Sequence, residues 1–233
     1  LPRTSDMHVM KSKWVFAVKY NDDGTVKRIK ARFVACGYSQ IEGKEFTEVH
    51  AATLPAVSMR IMFADIVTED WETDQIDAVK AFTQSDVDKL LYVEMPEGFG
   101  VPGHVVKLDK ALEGIKQGSY LWSEKRTGAL FSLGFNNSII EPNIYIHKSL
   151  PIKVATFVDD VIVAYHHSVK EDYVEIKKQY GKLIQIDSPN LTPVSKFIGV
   201  QFIRNRHEKT GTLKQTQYID QLAIAYNGKY ELH

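Results

Sequence analysis

Cys36 is the single cysteine in 233 residues. One thiol excludes an internal disulfide and a cysteine-built zinc site, and such sparse use fits a reducing compartment. Long apolar runs are lacking too: none approaches the roughly 20 residues that a membrane-spanning helix needs. The opening Leu1-Pro2-Arg3-Thr4 does not have the basic-then-apolar layout of a secretory leader. The expectation is a soluble intracellular protein with no membrane partner. An excess of charge of one sign is also missing, since 29 Lys and Arg offset 29 Asp and Glu. The strongly basic footprint of many nucleic-acid binders is therefore absent from the chain as a whole. It is available locally, where Lys19, Lys27, Arg28, Lys30 and Arg32 face only Asp22 and Asp23.

What is present is ordinary globular material. A hydrophobic content of 44% and a charged content of 25% suit one large domain or two small ones. Trp14 to Val18 and Ile29 to Ala35 are β-rich and flank Asn21-Asp22-Asp23-Gly24, which predicts a long antiparallel hairpin. Met59, Met62, Phe63, Ile66 and Val67 recur at helical spacing within Ser58 to Glu69. A strand is expected over Trp71 to Asp77, a Pro/Gly loop over Pro96 to Gly103, and a short strand over His104 to Leu108. Ser119 to Leu133 reads as a helix closed by Gly134. A strand at Asn143 to His147, a hairpin from Lys153 to Tyr165 and a helix over Lys170 to Leu183 follow. Strands at Lys196 to Ile203 and Thr212 to Gln215 complete the set. Without a regular βαβ alternation, the pattern predicts an α+β fold around an antiparallel sheet.

The most informative stretch is Val154-Ala155-Thr156-Phe157-Val158-Asp159-Asp160-Val161-Ile162-Val163. An adjacent aspartate pair is most often a solvated turn, as Asp22-Asp23 illustrates. Asp159-Asp160 instead sits between two buried-type β-branched runs, as though it made the hairpin turn. Asp-Asp is a poor two-residue turn, and like charges repel strongly where the dielectric is low. A hard divalent cation would offset that cost, because Mg²⁺ takes carboxylate oxygens and leaves positions for water and phosphate. Two-metal phosphoryl transfer needs a further carboxylate to bridge the ions. Asp77, at the end of a predicted strand, is the candidate, with Asp74, Asp86 and Asp88 as nearby competitors.

Phe157-Val158-Asp159-Asp160 resembles the aromatic-x-Asp-Asp box of reverse transcriptases. Gln75-Ile76-Asp77-Ala78-Val79-Lys80-Ala81-Phe82 resembles a box of the copia-type retrotransposon polyproteins, a Pseudoviridae group of LTR elements. Further boxes match in order: Lys30-Ala31-Arg32-Phe33-Val34-Ala35-x-Gly37-Tyr38-x-Gln40, Tyr92-Val93-x-Met95-Pro96-x-Gly98-Phe99, Gly114-Ile115-Lys116-Gln117 with Trp122, and Lys196-Phe197-Ile198-Gly199-Val200. Each alone is weak, but together they run from about Lys11 to Leu222 in register. Glu113 departs from the family pattern, where tyrosine is usual. Gly118-Ser119 replaces Ala-Pro, and Cys36 replaces a basic residue.

The resemblance implies an RNA-directed DNA polymerase, a nucleotidyltransferase that adds dNTPs to a primer 3′-hydroxyl on an RNA or DNA template. It implies a right-hand fold, with fingers over about 1–70 and 93–115, a palm over about 71–92 and 116–205, and the start of a thumb or connection over 206–233. Asp77, Asp159 and Asp160 would be catalytic and would bind two Mg²⁺ ions, with Mn²⁺ as a substitute. Lys30, Arg32, Phe82 and Gln117 would contact the nucleotide, Phe82 by excluding a 2′-hydroxyl. Lys196, Phe197 and Gly199 would position the primer. Family members carry integrase and ribonuclease H domains in the same polyprotein and work in cytoplasmic virus-like particles, with the nucleus as a second location. The other expectation is a decayed or domesticated, catalytically silent nucleic-acid-binding module of the same fold.

Overall fold

The computed structural model describes residues 1–21, 25–187 and 189–229. In chain order the elements are β1 (Val9–Met10), β2 (Ser12–Tyr20), β3 (Val26–Ala35), α1 (Ala56–Thr68), β4 (Glu72–Asp77), β5 (Tyr92–Glu94), β6 (Val105–Lys107) and α2 (Gly118–Ser132). They continue with β7 (Phe135–Asn137), β8 (Ile144–His147), β9 (Ile152–Phe157), β10 (Asp160–Tyr165), α3 (Lys170–Leu183), β11 (Lys196–Phe197), β12 (Val200–Asn205), β13 (Thr210–Lys214) and α4 (Thr216–Lys229). The fold is α+β, as the pattern predicts. No helix among the described residues is long and apolar enough to cross a membrane.

The chain divides into two compact units, 1–51 with 80–128 and 52–79 with 129–233. These limits differ from those expected for fingers and palm. Residues 56–68 group with the second unit because Met59, Met62, Phe63 and Ile66 of α1 share a core with Ala155, Ile162 and Ala164. Residues 80–92 group with the first because Leu91 enters its separate core.

In the first unit, β2 and β3 form the expected hairpin; of its turn, residues 22–24 lie outside the described residues. Met10, Ala35, Leu91, Val93, Leu108, Ala111 and Ile115 build the core over the small sheet β1-β5-β6. Gly37 and Gly114 make a close backbone crossing. A Cβ on Gly37 would lie 2.2 Å from the Gly114 carbonyl oxygen, and Gly114 holds a left-handed φ of +93°. Only glycine meets both demands there.

The second unit is built on an antiparallel sheet of order β4-β10-β9-β8-β7. Val161, Ile162, Val163 and Ala164 of β10 are all buried, which explains why this strand reads as an unbroken apolar run rather than an alternating one. One face packs on α1 and on β12, where Phe63 stacks on Phe202 with ring centroids 4.4 Å apart. The other face meets α3, where Tyr165 stacks on Tyr173 at 4.5 Å. Arg204 on β12 donates to the Ile66 carbonyl at 2.9 Å, satisfying an acceptor at the end of α1.

Two expectations need correction. Asp160 pairs with Phe157, so the turn residues are Val158 and Asp159, and Asp160 already belongs to β10. Val158 carries the left-handed φ of +51° that this tight turn requires. The segment from Lys196 to Ile203 is not one strand. Ile198 and Gly199, at φ of +50° and +74°, fold it into β11 and β12. Two successive positive φ values suit a two-residue hairpin turn, whose twist matches that of the flanking strands.

Candidate active site

Asp77 ends β4 and Asp160 begins β10, and the two are direct partners across the antiparallel ladder. Residues so paired project from the same face, with Cβ atoms about 4.5–5.5 Å apart. Asp159 adjoins them in the hairpin turn. Asp77 and Asp159 are exposed, whereas Asp160 is partly buried. Burial, and then the charges of Asp159 and Asp77, push the Asp160 carboxyl above its ordinary pKa. Its environment therefore disfavours the carboxylate.

The competing acids are accounted for. Asp74 faces the other side of the sheet and is bound within the protein by Lys177 at 2.7 Å and by Tyr173 at 2.5 Å. Asp86 pairs with Lys110 at 2.6 Å on the surface of the first unit. Asp88 receives a long hydrogen bond from Gln117 at 3.4 Å.

Among the described residues, no three His, Cys, Asp or Glu side chains are gathered closely enough to hold a metal ion as they stand. The donor type still fits Mg²⁺: Asp77, Asp159 and Asp160, all hard oxygen donors, lie at the same end of the sheet.

The other predicted residues divide between the units. Lys30 and Arg32 lie on one face of β3, and Arg32 makes an ion pair with Glu113 at 3.4 Å. The glutamate that replaces the usual tyrosine is thus the partner of a predicted phosphate contact. Phe82 is half-buried in a short helical turn, against the first unit's core. Gln117 is fully buried. Its side chain accepts from Gln40 Nε2 at 2.9 Å and donates to the Glu45 carbonyl at 2.8 Å. Gln40 in turn accepts from the Lys116 backbone N–H at 2.7 Å. The two family boxes ending in Gln40 and Gln117 are stitched to one another, a contact that sequence reasoning did not foresee. Lys196 is exposed, Phe197 is 1% exposed within the α1 core, and Gly199 makes the β11–β12 turn.

A sheet end that carries acids on adjoining strands defines a class of site suited to a divalent cation and the phosphates it binds. The family is more specific. The model of the reverse transcriptase (RNA-dependent DNA polymerase) family matches residues 2–227, and the chain belongs to that family. It is 31% identical over 227 residues to the retrovirus-related Pol polyprotein from transposon TNT 1-94 of Nicotiana tabacum, covering 94% of this chain and 17% of that protein. It is 33% identical over 168 residues to the Pol polyprotein from transposon RE1 of Arabidopsis thaliana, covering 70% of this chain and 11% of that protein. The chain therefore spans under a fifth of the length of these relatives. Among solved structures, the foamy viral protease-reverse transcriptase in complex with double-stranded DNA aligns at TM-score 0.47 and 12% identity. That alignment covers 96% of this chain and 33% of that one.

Proposed function

We propose that the chain is the polymerase core of a copia-type reverse transcriptase, adding dNTPs to a primer 3′-hydroxyl along an RNA or DNA template. The observation that carries the reading is the direct pairing of Asp77 with Asp160 beside Asp159. In this reading the second unit is the palm and the first contains the fingers. Asp77, Asp159 and Asp160 hold two Mg²⁺ ions, which, when bound, lower the pKa of the attacking hydroxyl and offset charge on the departing pyrophosphate. The raised pKa of Asp160 fits this role, since an added positive charge would restore the carboxylate.

The chain's own residues position the reactants. Lys30 and Arg32 receive the triphosphate, with Glu113 holding Arg32 in place. Phe82 selects against a ribose 2′-hydroxyl. Gln117 acts from within, bracing through Gln40 and Glu45 the wall near the nucleotide. Lys196 and Gly199 contact the primer, while Phe197 anchors their hairpin in the core. Integrase and ribonuclease H domains of the same polyprotein are the proposed partners, and the cytoplasm the proposed location.

The spread of the three acids favours a second reading, a catalytically silent nucleic-acid-binding module. Incorporation of dNTPs on a primed RNA template separates the two. Mg²⁺-dependent extension by the purified chain, lost in Asp159→Asn with the fold intact, is the expected result. Equal extension by that variant overturns the assignment of the acids, and RNA binding without any extension establishes the silent module. In an active chain, Phe82→Val admits ribonucleotides; unchanged discrimination removes Phe82 from its role.

A further inference from the structure

Asp74 is fully buried, and the chemistry proposed above does not use it. Three donors reach its carboxylate: Lys177 Nζ at 2.7 Å, the Tyr173 hydroxyl at 2.5 Å and the Thr192 backbone N–H at 2.6 Å. Burial first, and then the Asp74 charge, push the Tyr173 hydroxyl well above its ordinary pKa, so it stays protonated and donates. Lys177 also donates to the Asn190 carbonyl at 2.6 Å.

A buried ion pair is a weak source of stability, because desolvation consumes most of the attraction and an apolar pair would serve as well. What it does impose is geometry, and here the geometry joins two places. Described residues on either side of position 188 bond to the outer edge of β4. The Val79 N–H donates to Gln185 at 2.9 Å, the Asp187 N–H to the Asp77 carbonyl at 2.9 Å, and the Gln75 N–H to Thr192 at 2.7 Å. The Val194 N–H then donates to the Thr73 hydroxyl at 3.2 Å, and β11 begins at Lys196. Through Lys177, Tyr173 and Thr192, Asp74 thus holds both the strand that ends in Asp77 and the segment that leads into the β11–β12 hairpin.

We infer that the Asp74–Lys177–Tyr173 network is a positioning device that couples the cation-binding end of β4 to the hairpin from Lys196 to Val200. The meaning of these two places, metal site and primer site, rests on the polymerase reading. Neither Asp74 nor Lys177 touches the reacting groups; both act through β4 and the 190–194 segment.

The test uses the full chain with Asp74→Asn, with Lys177→Met and with both. Three readouts need no catalysis: Mn²⁺ affinity by electron paramagnetic resonance, primer–template affinity by fluorescence anisotropy, and thermal unfolding. Each single variant is expected to lose stability and to weaken both affinities by roughly tenfold, as when outer partners of metal ligands are removed. The double variant has no unpaired buried charge and regains stability. Its affinities stay low, because the Lys177 hold on Asn190 is still missing. A double variant that recovers stability and both affinities shows a merely structural pair and overturns the proposal. So does the loss of only one affinity, or a wild-type chain that does not bind Mn²⁺. Measuring dNTP incorporation alongside keeps the two readings apart. A wild type that binds both probes, loses both in the variants and yet makes no DNA sinks the polymerase reading and leaves the positioning network standing.

Discussion

Asp74 and Asp77 stand on the same strand, yet they face opposite sides of the sheet and meet partners of opposite sign. On the α3 side, Asp74 is enclosed by a lysine, a tyrosine hydroxyl and a backbone N–H. On the other side, Asp77 faces Asp160, whose own pKa is raised by burial and by its acidic neighbours. One carboxylate meets a cation inside the protein, whereas the other lies directly opposite a second acid. Burial alone therefore does not set the state of an acid. The sign of the groups around it does.

The comparison breaks most readily at Lys177. Lys177→Met leaves Asp74 buried without its cation and is expected to cost about 3–5 kcal/mol in urea unfolding. Asp77→Asn, on the other face, leaves stability nearly unchanged; the reverse order would refute the contrast. Tyr173→Phe removes one hydrogen bond to a charged acceptor, and the same measurement should show a loss of about 2 kcal/mol.

Smaller effects sharpen the picture at the hairpin tip. Val158 is β-branched and held at φ +51°, so Val158→Gly should relieve strain and stabilise the fold by about 1 kcal/mol. A loss on that substitution would mean that contacts of the valine outweigh the strain. Asp160→Asn is expected to raise Tm at neutral pH by a few degrees. The sign follows from its raised pKa: the folded state prefers the protonated acid, so the stability this group contributes is present below its ordinary pKa of 3.8 and is lost as pH rises through the folded value. The gain should therefore vanish in calorimetry below about pH 4. A gain that is independent of pH would show that charge is not its cause.

Much of this was legible without a structure. The spacing of Met59, Met62, Phe63 and Ile66 fixed a helix and its buried face, and the apolar run after Asp160 announced a strand covered on both sides. Turns were harder. Asp159-Asp160 looked like the turn itself, but register is set by how Val161 to Tyr165 pair with β9 and β4, and that moved the turn back by one residue. The break at Ile198-Gly199 was hidden because isoleucine rarely takes a positive φ, and local propensity gave no sign of it. The burial of Gln117 was not legible, because nothing local says that Gln40 and Glu45 will enclose it.

The linear chain by itself determined most element types, though not α4 or the short strands β1, β5 and β7, together with the apolar faces and the acids available for chemistry, since these depend on side-chain periodicity and residue type. Only the tertiary structure decided which groups surround each acid. A strand puts residues three apart on opposite faces, but nothing along the chain says what Asp74 and Asp77 meet there. Strand pairing turns one toward Lys177 and the other toward Asp160, and the energy of a carboxylate depends on the charges that long-range folding places beside it.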